Sequence, residues 1–313
     1  MKSSSSLRTL AVGDKLREAL ALTRMYMAKR REDAPFVPFE TDLGEYRRVL
    51  SQFGGHDIES AKVVEIGFGA RPIRLAWLYS AGVDVWGMDT DLPLTRFGVR
   101  HFFAIWRRNG PERALKSATR QLLLGEKEWR DAARLFAAAH PGRGFTIPNE
   151  RLVMGSAADP AIWARFGGVD FIYSETAFEH IPAAQLPSVV DLMADKLNAN
   201  GVAFIRPNIF TGITGGHSLE WYPDLLDRDV TRRSAPWEHL RQNRFPANTY
   251  LNGLRYSEYV RLFSRRFQIV EIVDARPALG EQFITPEIAN ELHAYSREEL
   301  LMNEIGFVLK RHV

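Results

Sequence analysis

Residues 63–70 read VVEIGFGA, and this stretch decides the fold of the chain. An apolar run of strand-forming residues enters a Gly-x-Gly turn directly, and a helix-forming segment follows the turn. Gly67 and Gly69 allow the backbone to bend sharply and to approach a ligand closely, because neither residue has a side chain in the way. The stretch therefore predicts a strand, a ligand-binding turn and a helix in that order.

The type of ligand is indicated by the residues around the two glycines. The dinucleotide fingerprint G-x-G-x-x-G has a third glycine that packs the helix on the strand, and Pro72 occupies that position here. Glu65 lies two residues before Gly67. An acidic residue there suits a ligand with a cationic amino-acid end, whereas a dinucleotide would bring a pyrophosphate. An ordinary strand–turn–helix corner remains the alternative for the motif taken alone.

The rest of the chain continues the alternation of short apolar runs and helical stretches. The strands are expected at residues 62–66, 83–88, 151–155, 169–174, 202–207, 267–273 and 305–310. Such alternation is typical of an α/β fold with a parallel sheet and crossover helices. We expect a Rossmann-like, seven-stranded, mostly parallel sheet with helices on both faces.

The domain organisation follows from the segments that interrupt this alternation. Residues 1–55 are expected to form an N-terminal helical extension, and residues 56–313 the main domain. Within that domain, residues 93–148 are a helical insertion, and residues 208–256 a second insertion beside the substrate region. Long irregular segments inside a compact domain are usually functional or contain structure of their own.

Composition excludes several classes of protein. Of the 313 residues, 45% are apolar and 25% are charged, as in ordinary globular proteins. The absence of cysteine excludes disulfides, thiolate metal sites and a cysteine nucleophile. We see no signal peptide and no apolar run of roughly 18 to 20 residues that could span a bilayer, so we expect a cytoplasmic protein.

The arginines between Arg96 and Arg120 form the densest basic segment. A solvated helix face is the favoured interpretation, and an anionic partner such as a membrane surface is the alternative. Peripheral membrane contact through this face is therefore a hypothesis. Nucleic acid is disfavoured, because the net charge is only +3 and no RNA-binding motif is recognisable.

In two further stretches, acidic residues lie at or just after the end of an expected strand. Asp89 ends the second strand, where dinucleotide folds place an acid that accepts both ribose hydroxyls. Asp91 is the alternative for that role, and a helix N-cap is the structural alternative for Asp89. Residues 169–181 read VDFIYSETAFEHI, so that Glu179 and His180 follow the fourth strand near the carboxyl edge, where open α/β sheets bind ligands.

These three stretches, in this order and spacing, resemble the class I S-adenosylmethionine-dependent methyltransferases, especially the type 11 small-molecule branch. The resemblance covers about residues 60–210 and implies S-adenosyl-L-methionine as the cofactor. It also implies that the last two strands form an antiparallel edge. The cofactor-binding residues that it implies are Glu65, Gly67 and Gly69 for the methionine end, Asp89 for the ribose, Ser156 and Ala157 for the adenine, and Ser174 and Glu175 facing the sulfonium and the substrate.

The sequence departs from this family in two places. Ala70-Arg71-Pro72 replaces a stretch that often carries a third small residue. The adenine turn, residues 155–158, has no acid, and Asp159 is explained as a helix cap. The contacts expected at the adenine turn therefore have weaker support than those at the glycine loop.

Candidate catalytic residues follow the fifth strand, where residues 211–222 read TGITGGHSLEWY. A Gly-Gly turn that presents His217 indicates a base that could remove a proton from an acceptor hydroxyl near neutral pH. A loop histidine bonded to the backbone is the alternative. His180 and Glu220 are the rival catalytic candidates. No H-x-H or H-E-x-x-H pair occurs, so no metal site is expected.

The function predicted from these residues is in-line methyl transfer to a small or medium polar acceptor. The region after the fifth strand is also loosely similar to methyltransferases encoded with surface-polysaccharide genes, so a sugar or glycan hydroxyl is the favoured acceptor. Transfer to nitrogen or carbon remains open. The alternatives are an NAD(P)-dependent oxidoreductase and a non-catalytic cofactor-binding or RNA-binding protein of the same fold.

Overall fold

The computed structural model describes residues 39–93, 102–103, 105–107, 110, 114, 118, 126–226, 231–247 and 249–312. The helix expected within residues 14–31 and most of the Arg96–Arg120 face lie outside the described residues.

A seven-stranded sheet with the order β3-β2-β1-β4-β5-β7-β6 organises the fold. Strands β1 to β5 are parallel, and β7 runs antiparallel to both β5 and β6. This topology confirms the predicted fold class, including the antiparallel edge. The strands are β1 Lys62–Ile66, β2 Asp84–Asp89, β3 Leu152–Met154, β4 Val169–Glu175, β5 Leu197–Arg206, β6 Phe267–Asp274 and β7 Ile305–Arg311.

Helices cover both faces of this sheet, and alternate strand residues divide between two apolar clusters. In β1, Val63 belongs to the cluster under α1 to α3, whereas Val64 belongs to the cluster under α4, α5 and α7. This period of two is the geometry of a strand buried on both faces. The helices are α1 Phe39–Val49, α2 Ile73–Ser80, α3 Glu126–Ala139, α4 Pro160–Trp163, α5 Leu186–Lys196, α6 Pro223–Leu226, α7 Tyr256–Phe263, α8 Pro286–Glu291 and α9 Arg297–Leu301.

Helix α1 shares the hydrophobic core of the sheet. Tyr46 is fully buried, and its ring lies 4.7 Å from that of Tyr173 and 5.7 Å from that of Phe171. The helix continues as a π-helical turn, Leu50–Gly54, which also packs on β5. The expected boundary at residue 55 therefore does not separate two cores within the described part of the chain.

The region after β5 has an apolar core of its own. Ile213, Trp221 and Trp237 pack together with Ile288 of α8 and Leu300 of α9. This packing holds together the described parts of residues 208–256, in which no long helix or strand is found. Helices α8 and α9, which complete this core, are both short. No helix of the described residues has the length and apolar character needed to cross a membrane.

Candidate active site

The glycine loop after β1 needs its two glycines for different reasons. Both have a positive φ, +85° at Gly67 and +68° at Gly69. A Cβ on Gly67 would lie 2.2 Å from the Cβ of Ala177, so this glycine packs against the turn after β4. A Cβ on Gly69 would meet no heavy atom of the described residues within 4 Å. The loop is therefore closed by protein at Gly67 and open to a ligand at Gly69.

Asp89 anchors this loop to the end of β2. One carboxylate oxygen accepts a hydrogen bond from the backbone N–H of Gly69 at 2.7 Å, and the other accepts one from the N–H of Asp91, also at 2.7 Å. A carboxylate can accept about four hydrogen bonds, so this role is compatible with the ribose contact expected of Asp89. Asp91 takes part in the contact with the Asp89 carboxylate through its backbone N–H group.

Glu65 is buried at the end of β1, on the face of the sheet that α1 and α2 cover. Its carboxylate accepts a hydrogen bond from the Tyr173 hydroxyl at 2.9 Å, and the guanidinium of Arg74 lies 3.8 Å away. Burial raises the pKa of Glu65 to about 7, although Arg74 and Tyr173 act in the opposite direction. The carboxyl group is therefore close to its titration midpoint at neutral pH.

Glu175 lies on the same face at the end of β4. It accepts a hydrogen bond from the Tyr46 hydroxyl at 2.7 Å, and an Arg206 nitrogen lies 3.4 Å from its carboxylate. Burial raises the pKa of Glu175 to about 7, against the opposing effect of Arg206. The side chain predicted to face the sulfonium is thus held by α1 and β5.

Together these groups form an acidic network beside the glycine loop. Helix α1 contributes Asp42, which pairs with Arg74 at 3.1 Å, and Glu45, which pairs with Arg206. The network contains four carboxyl groups, from Asp42, Glu45, Glu65 and Glu175, and two guanidinium groups, from Arg74 and Arg206. The excess of carboxyl groups favours a ligand that carries positive charge.

The remaining predicted cofactor residues are held by neighbouring backbone. Ser174 is buried and donates its hydroxyl to the carbonyl oxygen of Ile66 at 2.7 Å, which ties β4 to β1. Ser156 accepts a hydrogen bond from the N–H of Ala158 at 3.2 Å, and the carbonyl of Ala157 accepts one from Trp163 at 2.7 Å.

Both Ser156 and Ala157 remain partly exposed on the turn after β3. Asp159, which follows them, caps α4 through the N–H of Ala161 at 2.9 Å. The interpretation of Asp159 as a helix cap is confirmed.

A second cluster lies after β4 and β5. Glu179 and His180 belong to a 3₁₀ turn, Phe178–His180, and His217 comes from the loop after β5. One nitrogen or oxygen atom from each of the three side chains lies within 4.8 Å of the other two. The pairing of β4 with β5 brings these side chains together across a long stretch of sequence. Sequence reasoning singled out both histidines but missed the contribution of Glu179.

Glu179 lacks the partners that the other buried acids have. It is 3% exposed, and no hydrogen bond of ordinary geometry from the described residues reaches either carboxylate oxygen. Burial raises its pKa to about 8, and the nearby backbone N–H groups of Glu179 and Asn208 offset only part of that effect. The Nε2 atom of His217 lies 3.7 Å from the Oε1 atom of Glu179.

The structure argues against the proton-accepting role expected of His217. Burial, with repulsion from His180 and His239, lowers the pKa of His217 to about 3. Such an imidazole is neutral at physiological pH, but it is too weak a base to match a proton transfer near pH 7. Its φ of +50° is uncommon for a residue with a side chain, and the preceding glycines supply the sharp turn.

The two rival candidates have different surroundings. The Nδ1 atom of His180 lies 2.9 Å from the carbonyl oxygen of Tyr250, and its ring contacts that of His217. Glu220 instead accepts hydrogen bonds from the N–H and hydroxyl of Ser234, at 2.9 and 2.7 Å, and from the N–H of Arg233. Burial opposes ionisation of Glu220, but these hydrogen bonds outweigh it and lower its pKa. Glu220 therefore holds its own loop together.

A comparison with solved protein structures finds several whose fold is similar to that of this chain. No family model matches the chain, and no curated protein matches it. A TehB-like SAM-dependent methyltransferase from Corynebacterium glutamicum is 12% identical, with 95% of this chain and 99% of that chain covered and a TM-score of 0.42. A SAM-dependent methyltransferase from Archaeoglobus fulgidus is 12% identical, with 88% and 95% covered and a TM-score of 0.45.

A third structure of this kind is the geranyl diphosphate C-methyltransferase from Streptomyces coelicolor. It is 12% identical, with 87% of this chain and 79% of that chain covered and a TM-score of 0.41. At these identities and scores, none of the similarities carries a function over to this chain.

Proposed function

We propose that this chain is a class I S-adenosylmethionine-dependent methyltransferase. The observation that carries the proposal is the combination of an open Gly69 with an acidic network beside it. The methionine end of the cofactor bears an ammonium group next to a sulfonium. Both positive charges would be stabilised by the excess of carboxyl groups around Glu65.

The same charges disfavour the oxidoreductase alternative. A dinucleotide would place its pyrophosphate at the turn after β1. Glu65 lies two residues before Gly67 and would bring a carboxyl group close to that pyrophosphate, whereas Asp89 is compatible with either cofactor. The packing of Gly67 against Ala177 also leaves the approach to the loop on the Gly69 side.

The acceptor in this proposal is a sugar or glycan hydroxyl. The sulfonium methyl is already activated, so the protein mainly aligns the donor and acceptor for in-line displacement. Support comes from the polar cluster of Glu179, His180 and His217, which lies where the carboxyl ends of β4 and β5 meet. A hydroxyl acceptor must lose its proton, and that cluster is the group of side chains suited to assist.

Calorimetry with the full chain tests the cofactor. We expect S-adenosylhomocysteine to bind at one site per chain, and NAD and NADP to give no heat of binding. Selective binding of either dinucleotide would refute the proposal. Mass spectrometry of oligosaccharides incubated with the chain and S-adenosylmethionine then tests the acceptor, and the expected product carries one added methyl group.

A further inference from the structure

We propose that Glu179, His180 and His217 bind a divalent transition-metal ion such as Zn²⁺ or Mn²⁺. These residues contain neither of the histidine motifs sought in the sequence. The site exists because two neighbouring strands end side by side, β4 leading to Glu179 and His180 and β5 leading to the His217 loop.

The donor atoms indicate the class of metal. Two imidazole nitrogens and one carboxylate oxygen form the His₂Glu set that catalytic zinc sites use, with further positions left for water or substrate. Imidazole suits zinc and the late first-row metals, and carboxylate suits manganese as well. Magnesium and calcium prefer sites built from oxygen atoms, so this donor set disfavours them.

The distances are close to those that a metal requires. Ligands at about 2.1 Å from a tetrahedral zinc ion lie about 3.4 Å from one another. The Oε1 atom of Glu179 is already 3.7 Å from the Nε2 atom of His217, and the full set lies within 4.8 Å. Small side-chain rotations are enough to close the set around an ion.

The state of the Glu179 carboxylate is an independent indication. Its two oxygens are buried, no side chain of the described residues donates a hydrogen bond to either of them, and burial of a carboxylate is costly unless the group is paired or coordinates a metal. In the described part of the chain, the only basic side chain within 4 Å of the Glu179 carboxylate is His217, and its imidazole is neutral near pH 7. A bound cation would supply the missing partner.

The neighbours of the two histidines orient their rings for coordination. A proton on Nδ1 of His180, donated to the Tyr250 carbonyl, places the ring's lone pair on Nε2. Metal-binding histidines commonly make this contact with their second nitrogen. The Asn208 amide lies 3.4 Å from Nε2 of His217, and Thr214 fixes that amide by donating its hydroxyl to Asn208 Oδ1 at 2.9 Å. The amide atom that faces Nε2 is the Nδ2 donor of Asn208, so the lone pair of His217 is on Nε2, the atom that also lies 3.7 Å from Glu179.

The role of the ion rests on the proposed function. With three protein ligands, a further coordination position could take the acceptor hydroxyl and lower its pKa. The hydroxyl would lose its proton to solvent, and an oxygen electron pair would form the bond to the methyl carbon. The bond between sulfur and methyl would break with its electrons remaining on sulfur. The products are a methyl ether, S-adenosylhomocysteine and one proton.

The test is metal binding to the full chain after treatment with a chelator. We expect titration with ZnCl₂ or MnCl₂ to show one ion per chain, and titration with MgCl₂ to show none at the same concentration. CoCl₂ should give visible absorption bands of a coordinated ion. Glu179→Gln and His217→Ala should weaken Zn²⁺ binding by at least about 100-fold, since even second-shell losses cost about 10- to 100-fold.

The matched control is His293→Ala. His293 is exposed, and its Nδ1 atom lies 2.8 Å from the backbone carbonyl oxygen of Asn290, so its loss should leave Zn²⁺ binding unchanged. Wild-type binding by folded Glu179→Gln and His217→Ala, or no Zn²⁺, Mn²⁺ or Co²⁺ binding to the wild type, would overturn the metal site. S-adenosylhomocysteine titration of the same chelated proteins tests the methyl-donor site separately and confirms that the variants are folded.

Discussion

The glycine loop and the histidine cluster lie at the same edge of the sheet, but the buried carboxyl groups in the two regions have different partners. Beside the loop, Glu65 and Glu175 each have a tyrosine hydroxyl and an arginine as partners. In the cluster, Glu179 is as deeply buried, yet no side chain of the described residues donates a hydrogen bond to either of its oxygens. Protein groups stabilise the buried carboxyl groups of the first region. Glu179 in the second region lacks a charged partner, which a ligand could supply.

We relate this difference to two tasks: the glycine loop would bind the cofactor, and the histidine cluster would act on the acceptor. The hydrogen bonds and ion pairs of this network give the loop a fixed shape before any ligand arrives. Preorganisation of this kind favours binding because little has to be reordered. The cluster instead has coordinating atoms that need only small movements to hold an ion.

The largest effect on stability and on binding is expected from a substitution at Gly67, the glycine that packs against the turn after β4. Gly67→Val places a branched side chain at a φ of +85° and against Ala177, where there is no room. Strain and overpacking together should lower the free energy of unfolding by about 3 to 5 kcal/mol. Urea unfolding should show this loss, and S-adenosylhomocysteine binding should be lost with it. Wild-type stability would show that the turn is not built as described.

Gly69→Ala is the matched variant at the open glycine. Its Cβ meets no described atom, so only the positive φ opposes it, at a cost of about 1 kcal/mol. We expect a folded protein whose affinity for S-adenosylhomocysteine in calorimetry falls at least about 10-fold, because the methyl group enters the ligand's space. Unchanged affinity would mean that the ligand does not approach Gly69.

Asp89→Ala should weaken S-adenosylhomocysteine binding by about 1.5 to 3 kcal/mol, as expected for hydrogen bonds to a charged group. The variant removes the anchor of the Gly69 N–H as well as the expected ribose contact. Asp91→Ala keeps the backbone N–H that Asp89 binds, so its effect in the same titration should be smaller. A larger loss from Asp91→Ala would reverse the two assignments.

A pH series sharpens the role of Glu65. Its pKa of about 7 in the free protein means that binding an ammonium group below pH 7 must first remove a proton. S-adenosylhomocysteine affinity should therefore rise about 10-fold from pH 6 to pH 8 and then level off, as about a tenth of Glu65 is ionised at pH 6 and most of it at pH 8.

The control variants separate Glu65 from its neighbour. Glu65→Gln should flatten the pH series. Glu175→Gln should retain the slope, because Glu175 is expected beside the sulfur atom, which carries no charge in S-adenosylhomocysteine. A slope that survives in Glu65→Gln and disappears in Glu175→Gln would move the ammonium site to Glu175.

The smallest effect on binding is expected from Ser174→Ala. The Ser174 hydroxyl is bonded to the Ile66 carbonyl inside the sheet. Its loss should lower the free energy of unfolding by about 1 to 2 kcal/mol, while cofactor affinity changes by less than about 3-fold. Urea unfolding and calorimetry on the same sample give both numbers. A large loss of affinity would restore the cofactor contact expected from the sequence.

How far the sequence predicts the structure depends on how local each feature is. The strand ending in Gly67 and Gly69, and Asp89 at the end of β2, follow from short stretches whose pattern is self-contained. The role of α1 does not follow from a short stretch of sequence, because Tyr46 contacts Glu175 and Phe171 only in the folded chain. A helix before the first strand has the same sequence pattern whether it extends the domain or completes its core.

The second cluster was hidden from sequence reasoning for a similar reason. His217 is far from Glu179 along the chain, and only the adjacency of β4 and β5 joins them. The pKa of His217 could not be predicted either, because it depends on burial and on the proximity of His180 and His239, and both arise only in the folded chain. A histidine after a Gly-Gly turn signals a special position but does not reveal its protonation.

Hydrogen exchange of backbone amides, measured with and without S-adenosylhomocysteine, tests the central claim most directly. The open glycine loop should be the cofactor site, so added ligand should slow exchange in peptides that cover residues 65–75 and 86–93. The peptide covering residues 268–274 in β6, at the far edge of the sheet, should be unchanged. Protection that is absent from the loop, or confined to segments away from it, would contradict the account.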